Sequence, residues 1–285
     1  MLAVAVERSQ PSQVLSQNVM PTPTTAEGVV QTIVELARRS ECSDQLGIGL
    51  AGLVEDGDVL RAAPNLQCMI DVPIRTALEG ELGVSVRIEN DATCALIAEM
   101  DFGIAHGVDD VVLVTLGTGI GGGIAIGGKV RRGVHGFAGE PGHMCLDPNG
   151  PLCVCGRNGC WERYASGAGV VWLAKERGFG DSVDGRPLTG EVLADLARAG
   201  DADAVSVWAT FAAWLARGLA NLADVLDPEL FVIGGGLVSV ADLYLERTRE
   251  LFVSEVLGGR SRHRTRIEPA RSGPSAGAIG AALLH

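Results

Sequence analysis

The sequence lacks an excess of positive charge. Its 285 residues include 23 lysines and arginines against 35 aspartates and glutamates, which gives a net charge of −12 at neutral pH. Binding to nucleic acids rests largely on Lys and Arg side chains that neutralise phosphates. This acidic balance therefore argues against DNA or RNA as a partner.

The sequence also lacks a long apolar run of the kind found in membrane spans and targeting peptides. The apolar stretch at residues 2–6 is shorter than a signal-peptide core and is followed by Glu7 and Arg8. The longest uncharged stretch, at residues 111–128, contains seven glycines, which makes a transmembrane helix implausible. We expect a cytoplasmic protein with no membrane partner.

Cysteine is too scarce for a small disulfide scaffold. The seven cysteines are unevenly spaced, which favours a reduced setting. Glycine is abundant, because its 39 residues are about twice the ordinary share, and this implies many tight loops. A chain of this length is expected to form about two domains.

Strand and helix patterns alternate along the chain, which predicts an α/β protein with mixed sheets. Predicted strands lie at residues 2–6, 14–19, 46–53, 84–89 and 230–233. Predicted helices lie at residues 73–82, 92–100 and 207–226, and another begins after Thr24, three residues before Glu27 in a capping-box spacing. We expect the first two strands to be joined by a turn around Pro11 and Ser12.

The most specific motif combines one histidine with three cysteines, namely His143, Cys153, Cys155 and Cys160. Three thiolates and one imidazole form a tetrahedral structural zinc site, and four protein ligands leave no position for a catalytic water. The intervening residues 147–151 are unable to build a packed element, so the ion would supply the order. Ordinary reduced cysteines or a strained disulfide are the alternatives, and Cys145 is the residue that would replace one ligand.

Two glycine-rich loops follow predicted strands. The first begins with Gly117, Thr118 and Gly119, and a strand rather than a helix follows it, which argues against a Rossmann dinucleotide site. Backbone amides that face a phosphate are one interpretation, and a hairpin that needs positive φ angles is the other. The second loop, formed by Gly234, Gly235 and Gly236, precedes a predicted helix start. Together the two loops suggest a split nucleotide site.

Acidic residues lie close to these motifs. Asn90 and Asp91 stand between a predicted strand and a predicted helix, where a helix N-cap and a ligand contact are both possible roles. Glu140 precedes His143 by three residues, and Glu162 follows the last cysteine of the motif by two. A metal-bound segment would hold both glutamates in one neighbourhood, whereas exposed acids are usually only solvated.

These motifs resemble those of the ROK family (repressors, open reading frames, sugar kinases), with its actinobacterial glucokinase branch the most similar. The matching stretches follow the family's order over essentially the whole chain: Glu89-Asn90-Asp91-Ala92, LGTGIGGG, HGFAGEPGHM, CVCGRNGCWERYASG and VIGGG. The resemblance implies the actin-like ATPase (ribonuclease H-like) fold, with sugar and ATP in a cleft between two α/β domains. It implies an N-terminal domain over 1–106, onto which a helix at about 272–285 packs back, and a C-terminal domain over 107–271.

The resemblance also implies an activity: ATP-dependent phosphorylation of a hexose at the 6-hydroxyl, with glucose favoured and Mg²⁺ accompanying ATP. Asp91 would be the base that accepts the hydroxyl proton. The sugar hydroxyls would be bound by Asn65, Asn90, Asp91, Glu140, His143 and Glu162. The phosphates and the nucleotide would be bound by Gly117, Thr118, Gly119, Gly234, Gly235 and Gly236. A homodimer or homotetramer is implied as well.

The N-terminus departs from the family pattern. Family members begin with a strand, central in its sheet, and a phosphate loop of the type D-x-G-G-T-K, whereas this sequence begins with what resembles the second strand. One explanation is a start site placed too far downstream. The other is a true loss that leaves a non-catalytic sugar-binding or regulatory protein.

Other functions remain as alternatives. A metal-bound module without a ligand is the weakest of them, and a DNA-binding repressor of this family would need an added winged helix that the sequence does not contain. N-acetylated hexosamines, mannose and fructose remain possible substrates, and polyphosphate remains a possible donor.

Overall fold

The computed structural model describes residues 1–7, 9–40, 45–63, 66–259, 261 and 264–284. Its strands are β1 (Leu2–Glu7), β2 (Gln10–Val19), β3 (Gln45–Leu50), β4 (Leu53–Glu55), β5 (Val59–Ala62), β6 (Ser85–Asn90), β7 (Val111–Leu116), β8 (Ile120–Ile126), β9 (Lys129–Val130), β10 (Ser182–Val183), β11 (Arg186–Pro187), β12 (Leu230–Gly234) and β13 (Arg266–Pro269). Its α-helices are α1 (Ala26–Arg39), α2 (Ile74–Leu82), α3 (Asp91–Asp101), α4 (Gly167–Glu176), α5 (Gly190–Arg198), α6 (Ala202–Leu226), α7 (Leu245–Glu255) and α8 (Ala276–Ala282). Short 3-10 helices lie at Gln67–Met69, Pro141–His143, Trp161–Arg163 and Gly236–Leu243.

The chain divides into two compact units. The first contains Met1–Asp109, Gly123–Gly139 and Ala270–His285, and the second contains Asp110–Gly122 and Glu140–Pro269. The domain boundaries expected from the sequence differ from this division at residues 123–139, which belong to the first unit, where Arg132 pairs with Glu89. Among the described residues, none of the helices combines the length and the hydrophobicity that a membrane span needs.

The predicted elements of the first unit are present, with small shifts. Pro11 and Ser12 lie inside β2 rather than in a turn, at a register irregularity between the Val6–Val14 and Glu7–Gln10 pairs, and such irregularities are where a strand tolerates proline. Thr25, not Thr24, caps α1, because its hydroxyl accepts the N–H of Gly28 at 3.2 Å. Strand β3 runs parallel to β6 from Gln45 opposite Ser85 to Leu50 opposite Asn90.

Two strands of the first unit have an open edge. Among the described residues, β1 pairs only with β2, and β3 pairs only with β6. Both β1 and β3 line a cavity of about 1170 Å³, which is also bordered by α1, α8 and Asp91. Unpaired backbone N–H and C=O groups are costly when they are buried, so these edges need either water or another strand.

In the first unit, helix α8 packs so closely against α3 and β3 that their backbones are in contact. A Cβ atom at Gly280 would overlap the carbonyl oxygen of Cys94 on α3, and one at Gly47 on β3 would overlap that of Ala281 on α8. Only residues without a side chain allow these backbones to approach so closely. The C-terminal helix is thereby fixed on the helix that begins at Asp91.

The second unit is built around parallel strands. Strand β12 pairs in parallel with β7 on one side and with β13 on the other. Helix α6 supplies much of the core, with Trp208, Phe211, Leu215 and Leu219 fully or almost fully buried. It begins at Ala202, earlier than the sequence predicted, because the Asp201 carboxylate caps it by accepting the N–H of Ala204 at 2.8 Å.

We predict that Gly280→Ala destabilises the first unit. Alanine is the better helix former, but its methyl group would overlap the Cys94 carbonyl, so the free energy of unfolding should fall by about 1–3 kcal/mol. The matched control is Gly80→Ala in α2, where nothing lies within 4 Å of the added methyl group. Gly80→Ala should raise stability by up to about 1 kcal/mol. Urea unfolding measures both, and equal effects of the two substitutions would contradict the close contact.

Candidate functional site

Asn90 and Asp91 lie where β6 ends and α3 begins. The Asn90 Oδ1 atom accepts the N–H groups of Ala92 at 2.9 Å and Thr93 at 3.0 Å, so the predicted N-cap role is confirmed. Its Nδ2 atom donates to the carbonyl of Gly52 at 3.2 Å. Both ends of the Asn90 amide therefore hold the junction, and the expected contact with sugar hydroxyls stays a prediction.

Asp91 is accessible to solvent at the wall of the cavity in the first unit. The protein that surrounds this concave position removes water from the carboxyl group and raises its pKa above the ordinary value. The N–H of Ala92, which donates to Oδ1 at 2.9 Å, opposes part of that shift. A carboxylate with a raised pKa is a stronger base, as proton abstraction from a hydroxyl requires.

The structure brings the four predicted metal ligands together in the second unit. One donor atom each of His143, Cys153, Cys155 and Cys160 lies within 4.8 Å of the others. The Sγ atoms of Cys155 and Cys160 are 3.5 Å apart, and Cys153 Sγ is 3.7 Å from His143 Nδ1. Zinc–sulfur bonds of about 2.3 Å in tetrahedral geometry place sulfurs about 3.8 Å apart, so the donor set fits zinc closely.

One of the two alternatives for these cysteines, a disulfide, does not agree with the structure. Cys155 and Cys160 are free thiols, which contradicts a disulfide between them. Cys145 is exposed and donates to the carbonyl of Asn158 at 3.4 Å, outside the four-residue group. The structure therefore brings together the four residues that the sequence spacing selected, and their role as zinc ligands stays a prediction.

The three clustered thiols differ in acidity. Burial raises the pKa of Cys155, but hydrogen bonds from Arg157 and the neighbouring thiols outweigh it and lower that pKa to about 7. Burial, reinforced by hydrogen bonds to neighbouring groups, raises the pKa of Cys153 and of Cys160. Adjacent thiolates repel one another, and a bound cation removes that repulsion. The cluster thus has the electrostatics of a cation site.

Glu162 lies beside the cluster of His143 and the three cysteines. Its Oε1 atom accepts the Cys153 thiol at 2.9 Å and is 3.6 Å from His143 Nδ1. A Cβ atom at Gly119 would overlap the other carboxylate oxygen, so the first glycine loop packs directly on Glu162. Glu140 joins this region through a 3-10 turn, in which its carbonyl accepts the N–H of His143 at 3.2 Å.

The first glycine loop is tied to helix α4 by its carbonyl groups. Gly117 accepts the N–H of Gly167 at 2.7 Å, and Thr118 accepts that of Ala168 at 3.4 Å. In the part of the chain that the structure describes, the N–H groups of Thr118 and Gly119 have no acceptor. Neither Gly117 nor Gly119 has a positive φ, so the hairpin alternative does not explain these glycines. Free N–H groups favour an anion such as phosphate.

In the second glycine loop, Gly235 and Gly236 have different surroundings. Gly235 has φ +82°, and a Cβ atom there would lie within 2.7 Å of three backbone atoms of Leu116. Gly236 has nothing within 4 Å of the corresponding position and begins a 3-10 helix. The predicted helix start is therefore present, as a 3-10 helix, and Gly236 is the position that leaves space for a ligand.

One predicted site residue lies outside the description, and one ion pair was not predicted. Asn65 is not among the described residues. Glu89 is buried; its Oε1 accepts the N–H of Asn90 at 2.9 Å, and its Oε2 pairs with Arg132. No local sequence signal connects Glu89 with an arginine so far along the chain.

Comparison with solved structures identifies the fold. The structure is similar to a ROK family glucokinase from Streptomyces griseus in complex with glucose and AMPPNP, with a TM-score of 0.84 and 40% identity over 96% of this chain and 92% of that chain. It is also similar to a ROK hexokinase from Thermus thermophilus, with a TM-score of 0.79 and 34% identity over 96% and 91%. The chain is thus an α/β protein with the actin-like ATPase fold of sugar kinases.

The sequence comparisons give the family. The ROK family model matches residues 1–285. A glucokinase from Streptomyces coelicolor is 40% identical over 286 residues, which cover 95% of this chain and 90% of that protein. The chain belongs to the ROK family, and the resemblance drawn from its motifs is confirmed.

We predict opposite outcomes for two adjacent glycines. Gly235→Ala should lower the free energy of unfolding by about 1–3 kcal/mol, because alanine is strained at φ +82° and meets the Leu116 backbone. Gly236→Ala is the control and should change stability by less than about 0.5 kcal/mol. Thermal unfolding measures both variants. A Gly235→Ala protein as stable as the parent would contradict the packing of this loop.

Proposed function

We propose that the protein is an ATP-dependent hexose kinase that converts glucose to glucose 6-phosphate. The observation that carries the proposal is Asp91, a solvent-accessible carboxylate of raised pKa at the start of α3. The similarity to glucokinases and to a glucose complex supports the choice of sugar and donor.

The proposed chemistry needs one base and precise positioning. As the bond between the sugar O6 atom and the γ-phosphorus forms, the bond from that phosphorus to ADP breaks, and Asp91 accepts the hydroxyl proton. The transition state is loose, so the protein contributes mainly alignment and charge neutralisation. Magnesium, when bound with ATP, supplies part of that neutralisation.

We propose five of the described residues as ligands of the sugar hydroxyls. They are Asn90, Asp91, Glu140, His143 and Glu162. Asn65 belongs to the same proposal. For ATP we propose the N–H groups of Thr118 and Gly119 as phosphate contacts, with Gly117 and the loop of Gly234, Gly235 and Gly236 beside the nucleotide.

We propose structural zinc at His143, Cys153, Cys155 and Cys160. The 3.5 and 3.7 Å donor spacings support this metal. Zinc would fix the segment that carries His143 and would keep Glu162 beside it, so its role is to orient sugar ligands. Free thiols fit a cytoplasmic setting, and the family resemblance supports a dimer or tetramer.

The cavity between β1 and β3 bears on ATP binding. We propose that it is the position of the central first strand that the family pattern expects, and two open strand edges at one cavity support this. The phosphate loop that follows such a strand would add a donor contact.

We predict that Asp91→Asn lowers kcat by about 10²–10⁴-fold, with a much smaller change in the KM for glucose, because the amide accepts no proton. In the parent, kcat/KM should fall as the pH falls through the raised pKa of Asp91, at a higher pH than an ordinary aspartate with a pKa of about 3.9 would give. Glucose-dependent ADP formation measures both effects.

Asp101→Asn, near the other end of α3, is the matched control and should leave both constants unchanged. Full turnover in Asp91→Asn would refute the base assignment. If glucose raises the Tm of the parent chain but no ADP forms, the non-catalytic function is the correct one.

We predict about one zinc ion per chain, and near none in Cys155→Ser, because a structural site needs all four ligands. Affinity should fall as the pH falls below the Cys155 pKa of about 7, since protons then compete with the metal for the thiolate. Elemental analysis of purified protein at several pH values measures this. Cys145→Ser is the control and should retain the metal; zinc loss in that variant instead would contradict the ligand set.

A further inference from the structure

A buried carboxylate lies outside the proposed site, near the C-terminal end of α3. Glu99 is fully buried. Its Oε1 atom accepts the N–H groups of Arg271 at 2.8 Å and Ser272 at 2.6 Å, and its Oε2 atom accepts that of Ile104 at 2.9 Å. A buried carboxylate is costly unless it is hydrogen-bonded, and bonds from N–H groups to a charged acceptor are strong. With three such bonds, Glu99 holds the backbone at Ile104, Arg271 and Ser272 against α3.

The three donors belong to two of the four segments through which the chain passes between the units. Ile104 lies shortly before the chain passes from Asp109 of the first unit to the second, and Arg271 lies just after it returns at Ala270. The Ser272 hydroxyl is buried without a partner in the described ranges, so it does not help to hold this segment. Glu99 thus holds both of these connecting segments at one point.

Helix α3 carries this anchor near one end and Asp91 at the other. The carbonyl of Glu99 also accepts the N–H groups of Gly103 and Ala105, both at 3.1 Å, so the first connection is docked by main chain and side chain together. We infer that Glu99 is a positioning residue, which holds the connections at 102–109 and 270–272 in a fixed relation to the helix that begins at Asp91.

The catalytic part of this inference rests on the proposed function, in which Asp91 accepts the proton of the sugar hydroxyl. Loosening a connection would then disturb the alignment of the base. Misalignment of reacting groups lowers turnover even where binding persists.

The substitution Glu99→Gln should release one of these two connecting segments and leave the other in place. A carboxamide has one acceptor oxygen, and its NH₂ group would face a backbone N–H. The oxygen is expected to remain with Arg271 and Ser272, which offer two donors, so the N–H of Ile104 loses its acceptor. The substitution changes almost no volume, which keeps the packing around α3 intact.

The first test is hydrogen exchange of the full chain by mass spectrometry. In Glu99→Gln, exchange at Ile104 should be about tenfold faster or more, with β6 and the start of α3 unchanged. Glu79→Gln is the matched control, because Glu79 on α2 accepts the N–H of Val86 at 3.1 Å in the same unit but away from the connections. Faster exchange throughout the first unit would overturn the inference, because Glu99 would then be a general stabiliser.

The second test is steady-state kinetics with glucose and Mg-ATP. Glu99→Gln should lower kcat by about tenfold or more and change the KM for glucose less, whereas Glu79→Gln should leave both within about twofold. An unchanged kcat in a Glu99→Gln protein with faster exchange at Ile104 would overturn the positioning role. A parent chain without turnover, together with the expected exchange pattern, would refute the proposed function and support the anchor.

Discussion

The close packing of α8 against α3 and β3 is the contact on which the arrangement of the first unit depends. It brings the C-terminal helix onto the helix that begins at Asp91, and glycines at positions 47 and 280 are what permit it. Because backbone meets backbone, there is no flexible side chain to absorb a displacement. The orientation of α3, and with it the position of its first carboxylate, is therefore set by a segment from the far end of the chain.

The first unit pairs a rigid helix with an open cavity. Strand β3 is paired on one side with β6, which leads to Asn90, and its other edge faces the cavity that Asp91 lines. The raised pKa of Asp91 comes from the protein surrounding that position. Any strand that filled the cavity would satisfy the open edges and remove more water from the carboxylate, so strand pairing and base strength are linked here.

The second unit depends on a different source of order. Its segment from residue 140 to residue 162 contains no α-helix, and its local structure consists of two short 3-10 helices, turns, isolated bridges and the Cys and His cluster. Glu162 contacts both that cluster and the first glycine loop. Glu162 thus connects the cluster of His143 and the cysteines with the loop that carries the N–H groups of Thr118 and Gly119.

The sequence by itself determined the features that depend on local spacing. The grouping of His143 with three cysteines, the strand–loop–strand at the first glycine run, the Asn90 N-cap and the family all followed from residues close together in the chain. Tertiary structure alone decided the Glu89–Arg132 pair, the three donors on Glu99, the reason for glycine at position 119 and the membership of 123–139 in the first unit. These contacts join residues distant in sequence, and no periodicity or motif specifies which distant backbone will meet a given side chain.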